Sequence, residues 1–374
     1  MRTLIVAAGG GGDAITAAAL AGPLRLAEPP VVMTYSWDRL LIDPRPGPRS
    51  ADDFNCLREL APGVFEVTEW TRPVAPAGSS LPRLAAELPA RLLLLDPVKG
   101  AIGLANQITA AVAFFNCDNI ALLDVGGDAI TTGDDPGLRS PLADQLALAA
   151  CVQTGIPTRL LITGAGLDGE IPCSVIADRL AQLAAEHLPA LTETDFDPIR
   201  RVFAWHPSEA SGLLAAAAAG RRGRVEVRDA GDQVELTDAT AALLAVDGKR
   251  AAQATPAGGL TDSTSLAQAA QIIRDTTGIS ELEYETRKAE RLGRRHPHRP
   301  EVADLAEIDR YASEARKRGA DFISIRRLSE LLGATSLDMF AALSALLKAH
   351  RPGAYEFSIY RTITTPQIGP LPGA

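Results

Sequence analysis

The chain has 374 residues, 46% of them hydrophobic, with 37 Lys and Arg against 46 Asp and Glu for a formal charge of -9. That apolar content can fill one large core or two ordinary ones and excludes global disorder. The acidic balance argues against nucleic acid, whose binding needs clustered cations to displace phosphate counterions, and points to a small-molecule substrate. The four cysteines, Cys56, Cys117, Cys151 and Cys173, form no CxxC pair and read as small apolar residues rather than zinc or redox ligands.

Taken in chain order, the opening MRTLIVAAGGGG is too short an apolar run for a secretory signal and reads as a first buried strand. Runs at 3–6, 31–35, 64–67, 92–95, 120–124 and 159–162 follow, separated by helical patterns at 13–21, 81–90, 99–114, 138–155 and 174–188. This alternation predicts an α/β fold, Rossmann-like and doubly wound, with a mostly parallel sheet. After Glu193 a helix begins near Pro207, strands are expected at 224–227, 234–236 and 241–246, and a helix runs from Ser265 to Arg274. These either continue the sheet or close a second lobe. From 279 the chain is charged and mostly helical, and ELEYETRKAERLGRR has the i,i+4 opposite-charge spacing of a solvated helix. The predicted organisation is a ligand-binding catalytic unit over 1–278, with a sub-boundary near 190, and a helical C-terminal extension over 279–374. No run approaches ~20 uninterrupted apolar residues, so no membrane span is expected and the compartment is read as cytoplasmic. ISIRRLSELLGATSLDMFAALSALLKAH superficially matches a helix-turn-helix, but its balanced charge and continuous apolar stripe fit core packing or the interface of a homo-oligomer.

Three loops carry the candidate site. Gly9, Gly10, Gly11 and Gly12 follow the first strand and Asp13 is placed to cap the next helix, an arrangement that lets backbone amides approach an anion. Gly9, Gly11 and Ala14 also satisfy the dinucleotide pattern, with Asp38 where a ribose-binding acid would stand. Gly126, Gly127 and Asp128 repeat the grammar after IALLD, and Gly164, Gly166, Asp168 and Glu170 after RLLIT. Strand ends that share a switch point share a crevice, so Asp13, Asp128, Asp168 and Glu170 are expected to converge on a hydroxyl-rich ligand or on Mg²⁺, with Asp128, Asp168 and Glu170 as metal candidates. Trp37, Arg39 and Arg49, on the stiffened loop after the second strand, are candidate anion contacts. In WHPSEASGL, His206 is the candidate general acid or base, Ser208 the helix cap and Glu209 a candidate orienting partner. No GxSxG, HExxH or P-loop pattern is present.

AGGGGDAI, WDRLLIDPRPGPR, DVGGDAI with SPLAD, GAGLDGE, HPSEASGL and ELEYETRKA together resemble the DUF1152 family of bacterial and archaeal proteins. Ala165 departs from the Pro of that pattern. The resemblance implies a single catalytic-type domain and brings no activity with it. The leading expectation is an enzyme of biosynthetic type acting on a small polar, phosphorylated or nucleotide-like metabolite, its protons moved by His206, Asp168, Glu170 or Asp128. The alternatives are an NAD(P)-dependent oxidoreductase and a noncatalytic metabolite-binding or assembly protein.

Overall fold

Nearly uninterrupted apolar runs such as LIVA and RLLLL can be buried only in a sheet that is covered on both faces. The computed structural model describes residues 2–26, 29–292 and 296–362. Its strands are β1 (Thr3–Ala7), β2 (Val31–Tyr35), β3 (Phe54–Asn55), β4 (Arg58–Ala61), β5 (Val64–Val67), β6 (Arg72–Pro73), β7 (Arg91–Leu95), β8 (Asn119–Val125), β9 (Thr158–Thr163), β10 (Glu186–Leu188), β11 (Gly223–Glu226), β12 (Gln233–Leu236), β13 (Leu243–Asp247), β14 (Phe322–Ser324), β15 (Tyr355–Glu356) and β16 (Ile359–Arg361).

The central sheet has the order β10-β13-β9-β8-β1-β2-β7-β5-β4. Its inner strands β9, β8, β1, β2 and β7 are parallel, and antiparallel pairs finish both edges. The protein is therefore mixed α/β with a large, mostly parallel central sheet. Chain order runs outward from β1 in both directions, through β2 to β7 on one side and through β8 to β9 on the other. Helices Gly11–Ala19, Leu81–Glu87 and Glu209–Ala218 bury Ile15, Leu84 and Leu213 on one face of the sheet. Gly100–Phe115, Pro141–Gln153 and Leu266–Thr277 bury Leu104, Leu146 and Ile273 on the other. The segments leaving β1 and β8 thus diverge to opposite faces, which opens a crevice at the carboxyl ends of these strands. Pro97–Phe115 is long and apolar enough to cross a membrane by length and composition, and its Leu104, Ile108 and Ala111 are packed on the sheet.

Two stretches differ from expectation. The helix predicted over 174–188 ends at Gln182, and the chain passes into edge strand β10. The C-terminal segment is not purely helical: beside its helices it supplies β14, β15 and β16, which join β11 and β12 in a second sheet of order β12-β11-β14-β16-β15. An open β11 edge would expose unpaired backbone groups, and β14 covers it in parallel register, Val225 opposite Phe322. Of the strands predicted after Glu193, β13 extends the central sheet while β11 and β12 build the second. The pair of helices that superficially matches a DNA reader, Ile325–Leu332 and Leu337–His350, buries Leu328, Phe340, Leu343 and Leu347 in a small core with Ile308 and Ala312, as core packing requires.

Glu226 fastens this second sheet. Its side chain is fully buried, 2.8 Å from Arg318 and 3.4 Å from Arg327. Glu226→Ala is expected to cost ~2–3 kcal/mol, the worth of charge-assisted bonds whose partners are left unpaired. Denaturant unfolding measures it; a loss below ~0.5 kcal/mol, typical of surface substitutions, would show that the sheet does not depend on this anchor.

Candidate active site

A cleft opens at the carboxyl ends of β1, β2, β8 and β9, lined among others by Gly12, Asp13, Trp37, Asp124, Asp128, Asp168 and His206. Glycines let the loops close on it. Gly10 has φ +95, and a Cβ there would sit 2.6 Å from the Trp37 carbonyl oxygen. At Gly126, φ +143, a Cβ would collide with Asp168 Oδ2, and the Gly166 amide donates to the Gly126 carbonyl at 2.7 Å. The second and third loops are therefore locked together with Asp168 against the backbone of Gly126.

The floor is acidic. Asp124 accepts from the amides of Gly127 and Ala129 at 3.1 and 3.0 Å, and Asp13 accepts from the Gly9 amide at 3.0 Å. Asp144, in the first turn of the Pro141–Gln153 helix, is 4% exposed and its Oδ1 has no hydrogen-bond partner among the described residues. One carboxylate oxygen each from Asp124, Asp128 and Asp144 lie within 4.8 Å of one another, the spacing of oxygen ligands around a single cation. Burial, reinforced by the neighbouring carboxylates, holds Asp128 and Asp144 well above the usual range. Burial and then Asp124 push Asp13 up to about 8, burial and then Glu170 push Asp168 to about 7, and burial alone dominates the rise of Asp124 to about 6. Asp168 is partly exposed, and its Oδ2 has no partner.

Glu170 and Glu281 have other work. Glu170 accepts from the Arg139 and Ser140 amides at 2.6 and 3.0 Å and from Ser140 Oγ at 2.5 Å, while Glu281 accepts from the Leu142 amide at 2.9 Å. Both satisfy the otherwise orphaned donors at the start of the Pro141–Gln153 helix. Glu285, one turn after Glu281, accepts from Trp37 Nε1 at 3.0 Å, the Gly47 amide at 2.8 Å and Arg39 at 3.1 Å. The Glu281–Leu292 helix, which reads as a solvated face in sequence, is thereby docked on the cleft and adds Tyr284 and Lys288 to its lining.

Hydrogen-bond donors and a guanidinium line the same cleft. The first turns of Gly11–Ala19 and Glu209–Ala218 meet there; a Cβ at Gly12 would be 2.7 Å from Ser208 Oγ, and Ser211 Oγ donates to the Gly12 carbonyl at 2.8 Å. His206 is 3% exposed and its Nδ1 accepts from the Ser208 amide at 3.1 Å, so its proton resides on Nε2, which has no partner. Burial, then Arg326, then Arg83 press its pKa down to about 3. A neutral imidazole with an occupied Nδ1 presents its Nε2–H as a hydrogen-bond donor. Arg326 lines the cleft, 4% exposed and 3.2 Å from Glu330.

Of the residues singled out in sequence, Gly9, Gly12, Asp13, Trp37, Asp38, Arg39, Asp128, Asp168, Glu170, His206, Ser208 and Glu209 line the cleft. Glu209 is engaged by Ser324 Oγ and by Arg228, and it anchors the second sheet rather than orienting His206. Arg49 lies outside the cleft lining, stapling its own loop through the Arg45, Pro46 and Gly47 carbonyls. Gly10, Gly11, Gly126, Gly127, Gly164 and Gly166 shape turns behind the lining. Asp38, the acid that a dinucleotide would require, is bound to the Ser80 amide and hydroxyl at 2.9 and 2.6 Å, and Ser80 fills the space beside Gly11. Asp124, Asp144, Glu281, Glu285 and Arg326 escape sequence reasoning, although SPLAD and ELEYETRKA contain three of them and IALLD ends on Asp124.

A family model described as "Protein of unknown function (DUF1152)" matches residues 4–289. The chain belongs to the DUF1152 family. No curated protein and no solved structure matches it. The DUF1152 match takes in β1, the three loops, the His206 turn and the docked helix as far as Lys288, so the acidic floor lies within it, whereas Arg326 lies beyond its end.

Between the ordinary value of 3.8 and about 8, folded Asp13 keeps a proton that the unfolded chain has lost, so its contribution to stability falls as pH rises through that window. Asp13→Asn in EDTA-treated protein is expected to flatten the decline in Tm between pH 5 and pH 8. Thermal unfolding in both buffers checks it, and an unchanged slope would mean that Asp13 is ionised throughout.

Proposed function

We propose that this DUF1152 protein is an enzyme that acts on a small polar metabolite bearing a phosphoryl or similar anionic group, such as a sugar phosphate or nucleotide, within a Rossmann-like, doubly wound core. The observation that carries the reading is that one cleft is lined both by buried carboxylates, Asp13, Asp124, Asp128 and Asp144, and by donors suited to an anion: His206, Arg326 and the first turns of two helices. Helix N-termini and guanidinium groups bind phosphate, and a neutral imidazole N–H donates to an oxyanion without adding charge. Carboxylates cannot hold an anion themselves; they suit hydroxyls, protons or a cation.

In this reading Asp168 moves the proton. It is partly exposed, has a free Oδ2 and carries a pKa near 7, where a carboxyl can both give and take a proton at neutral pH. His206 and Arg326 hold the anionic end, and Trp37, fixed by Glu285, walls the entrance. Both oxygens of the ribose-acid position Asp38 already accept a hydrogen bond from Ser80, which makes it a weaker ribose acceptor and favours a mononucleotide or sugar phosphate over NAD(P).

Calorimetric titration with phosphorylated sugars and nucleotides, each beside its unphosphorylated counterpart, tests this. A phosphorylated ligand is expected to bind, and Arg326→Gln to weaken it about tenfold or more, the ~1.4 kcal/mol or greater of a charge-assisted contact. Equal affinity with and without phosphate, or an unaffected variant, would overturn the anion assignment. Once a substrate is in hand, Asp168→Asn is expected to lower kcat by ~10²–10⁴ with binding retained. Full turnover by that variant would remove Asp168 from the chemistry.

A further inference from the structure

We infer that Asp124, Asp128 and Asp144 form a binding site for one divalent, oxygen-liganded cation of the Mg²⁺ class at the floor of the cleft. The three come from separate, rigid pieces of the fold: the end of β8, the turn that follows it, and the first turn of the Pro141–Gln153 helix. One oxygen from each lies within 4.8 Å of the others. Oxygens on opposite sides of one ion are separated by about twice the metal–oxygen distance, roughly 4.2 Å for Mg²⁺ and 4.6–5.2 Å for Ca²⁺. At most one pair of the three can stand opposite; adjacent oxygens are about 3 Å apart around Mg²⁺ and roughly 3.5 Å around Ca²⁺, so oxygens within 4.8 Å of one another reach one ion by side-chain adjustment of about an ångström or two.

Two further observations separate this cluster from an ordinary acidic patch. Asp144 is 96% removed from solvent with Oδ1 unpartnered, a polar atom that burial leaves costly unless something coordinates it. Among the described residues none of the three carboxylates takes part in an ion pair, although Asp124 is 1% and Asp128 7% exposed. Asp124 is aimed by the Gly127 and Ala129 amides, which orient its carboxylate from behind in the manner of outer-shell donors. The metal candidates expected from sequence are thereby revised. Asp128 stays, Glu170 is spent on the Arg139 and Ser140 amides, and Asp168 stands on the adjoining turn with Oδ2 against the Gly126 backbone.

Three carboxylates leave the remaining coordination positions to water or to oxygens of a ligand, so the cation would join the acidic floor to an anion held by His206 and Arg326. That last link rests on the function proposed above; the binding site itself does not.

Mn²⁺ serves as the probe. EDTA-stripped full-length protein is titrated with Mn²⁺ and followed by electron paramagnetic resonance, with Mg²⁺ and Ca²⁺ as competitors. One Mn²⁺ per chain is expected, displaced by Mg²⁺ or Ca²⁺. Asp144→Asn and Asp128→Asn, both near-isosteric, are each expected to weaken binding at least tenfold, while the exposed control Glu307→Gln leaves it unchanged, with circular dichroism confirming that every variant is folded. No stoichiometric Mn²⁺, or equal binding by folded Asp144→Asn and Asp128→Asn, would overturn the inference and assign the cluster to shared protons. Specific Mn²⁺ binding without affinity for any phosphorylated ligand would leave the cation site standing and reject the proposed function; phosphorylated ligands bound with the cluster indifferent to Mn²⁺ would do the reverse.

Discussion

Burying an ionised carboxylate costs several kcal/mol unless a proton, a hydrogen-bond donor or a cation compensates it. This protein gathers Asp13, Asp124, Asp128 and Asp144 below one-tenth exposure at the ends of neighbouring parallel strands. Much of the surrounding architecture answers that cost. Backbone amides of the glycine turns point at Asp13 and Asp124. The N-terminus of the Pro141–Gln153 helix brings Asp144 into the cluster while Glu170 and Glu281 saturate its free amides. Asp144, whose Oδ1 has no hydrogen-bond partner among the described residues, and its neighbours Asp124 and Asp128 are the carboxylates that a cation would serve.

The central sheet was legible because its signals are local: apolar runs of strand length, with glycine turns after those at 3–6, 120–124 and 159–162. The loops at Gly9–Asp13, Gly126–Asp128 and Gly164–Glu170 could be found from that grammar. The partners that complete the site could not, because nothing local marks them. Asp144 sits inside a helix pattern and Asp124 at a strand end, where a lone carboxylate has no distinguishing spacing. Glu281 and Glu285 read as halves of solvated i,i+4 pairs, and only the tertiary fold turns them toward Leu142 and Trp37. His206 was visible as an unusual histidine, yet its role depends on which nitrogen the Ser208 amide occupies.

The C-terminal segment changes the picture of an appended extension. Its β14 completes the sheet seeded by β11, its Ser324 and the inner Arg228 share Glu209, and its Arg326 reaches the cleft. A residue outside the family match therefore lines a cleft whose acidic floor lies inside it. On the proposed function, the matched region supplies the carboxylates, the glycine turns and His206, and the later region adds a guanidinium.

The account turns on whether a cation resides among the carboxylates. Anomalous diffraction from crystals grown with Mn²⁺ tests this directly. It predicts a peak within roughly 2.0–2.6 Å of one oxygen each from Asp124, Asp128 and Asp144. Carboxylates in direct contact with one another and no peak between them, in crystals saturated with Mn²⁺, would contradict it.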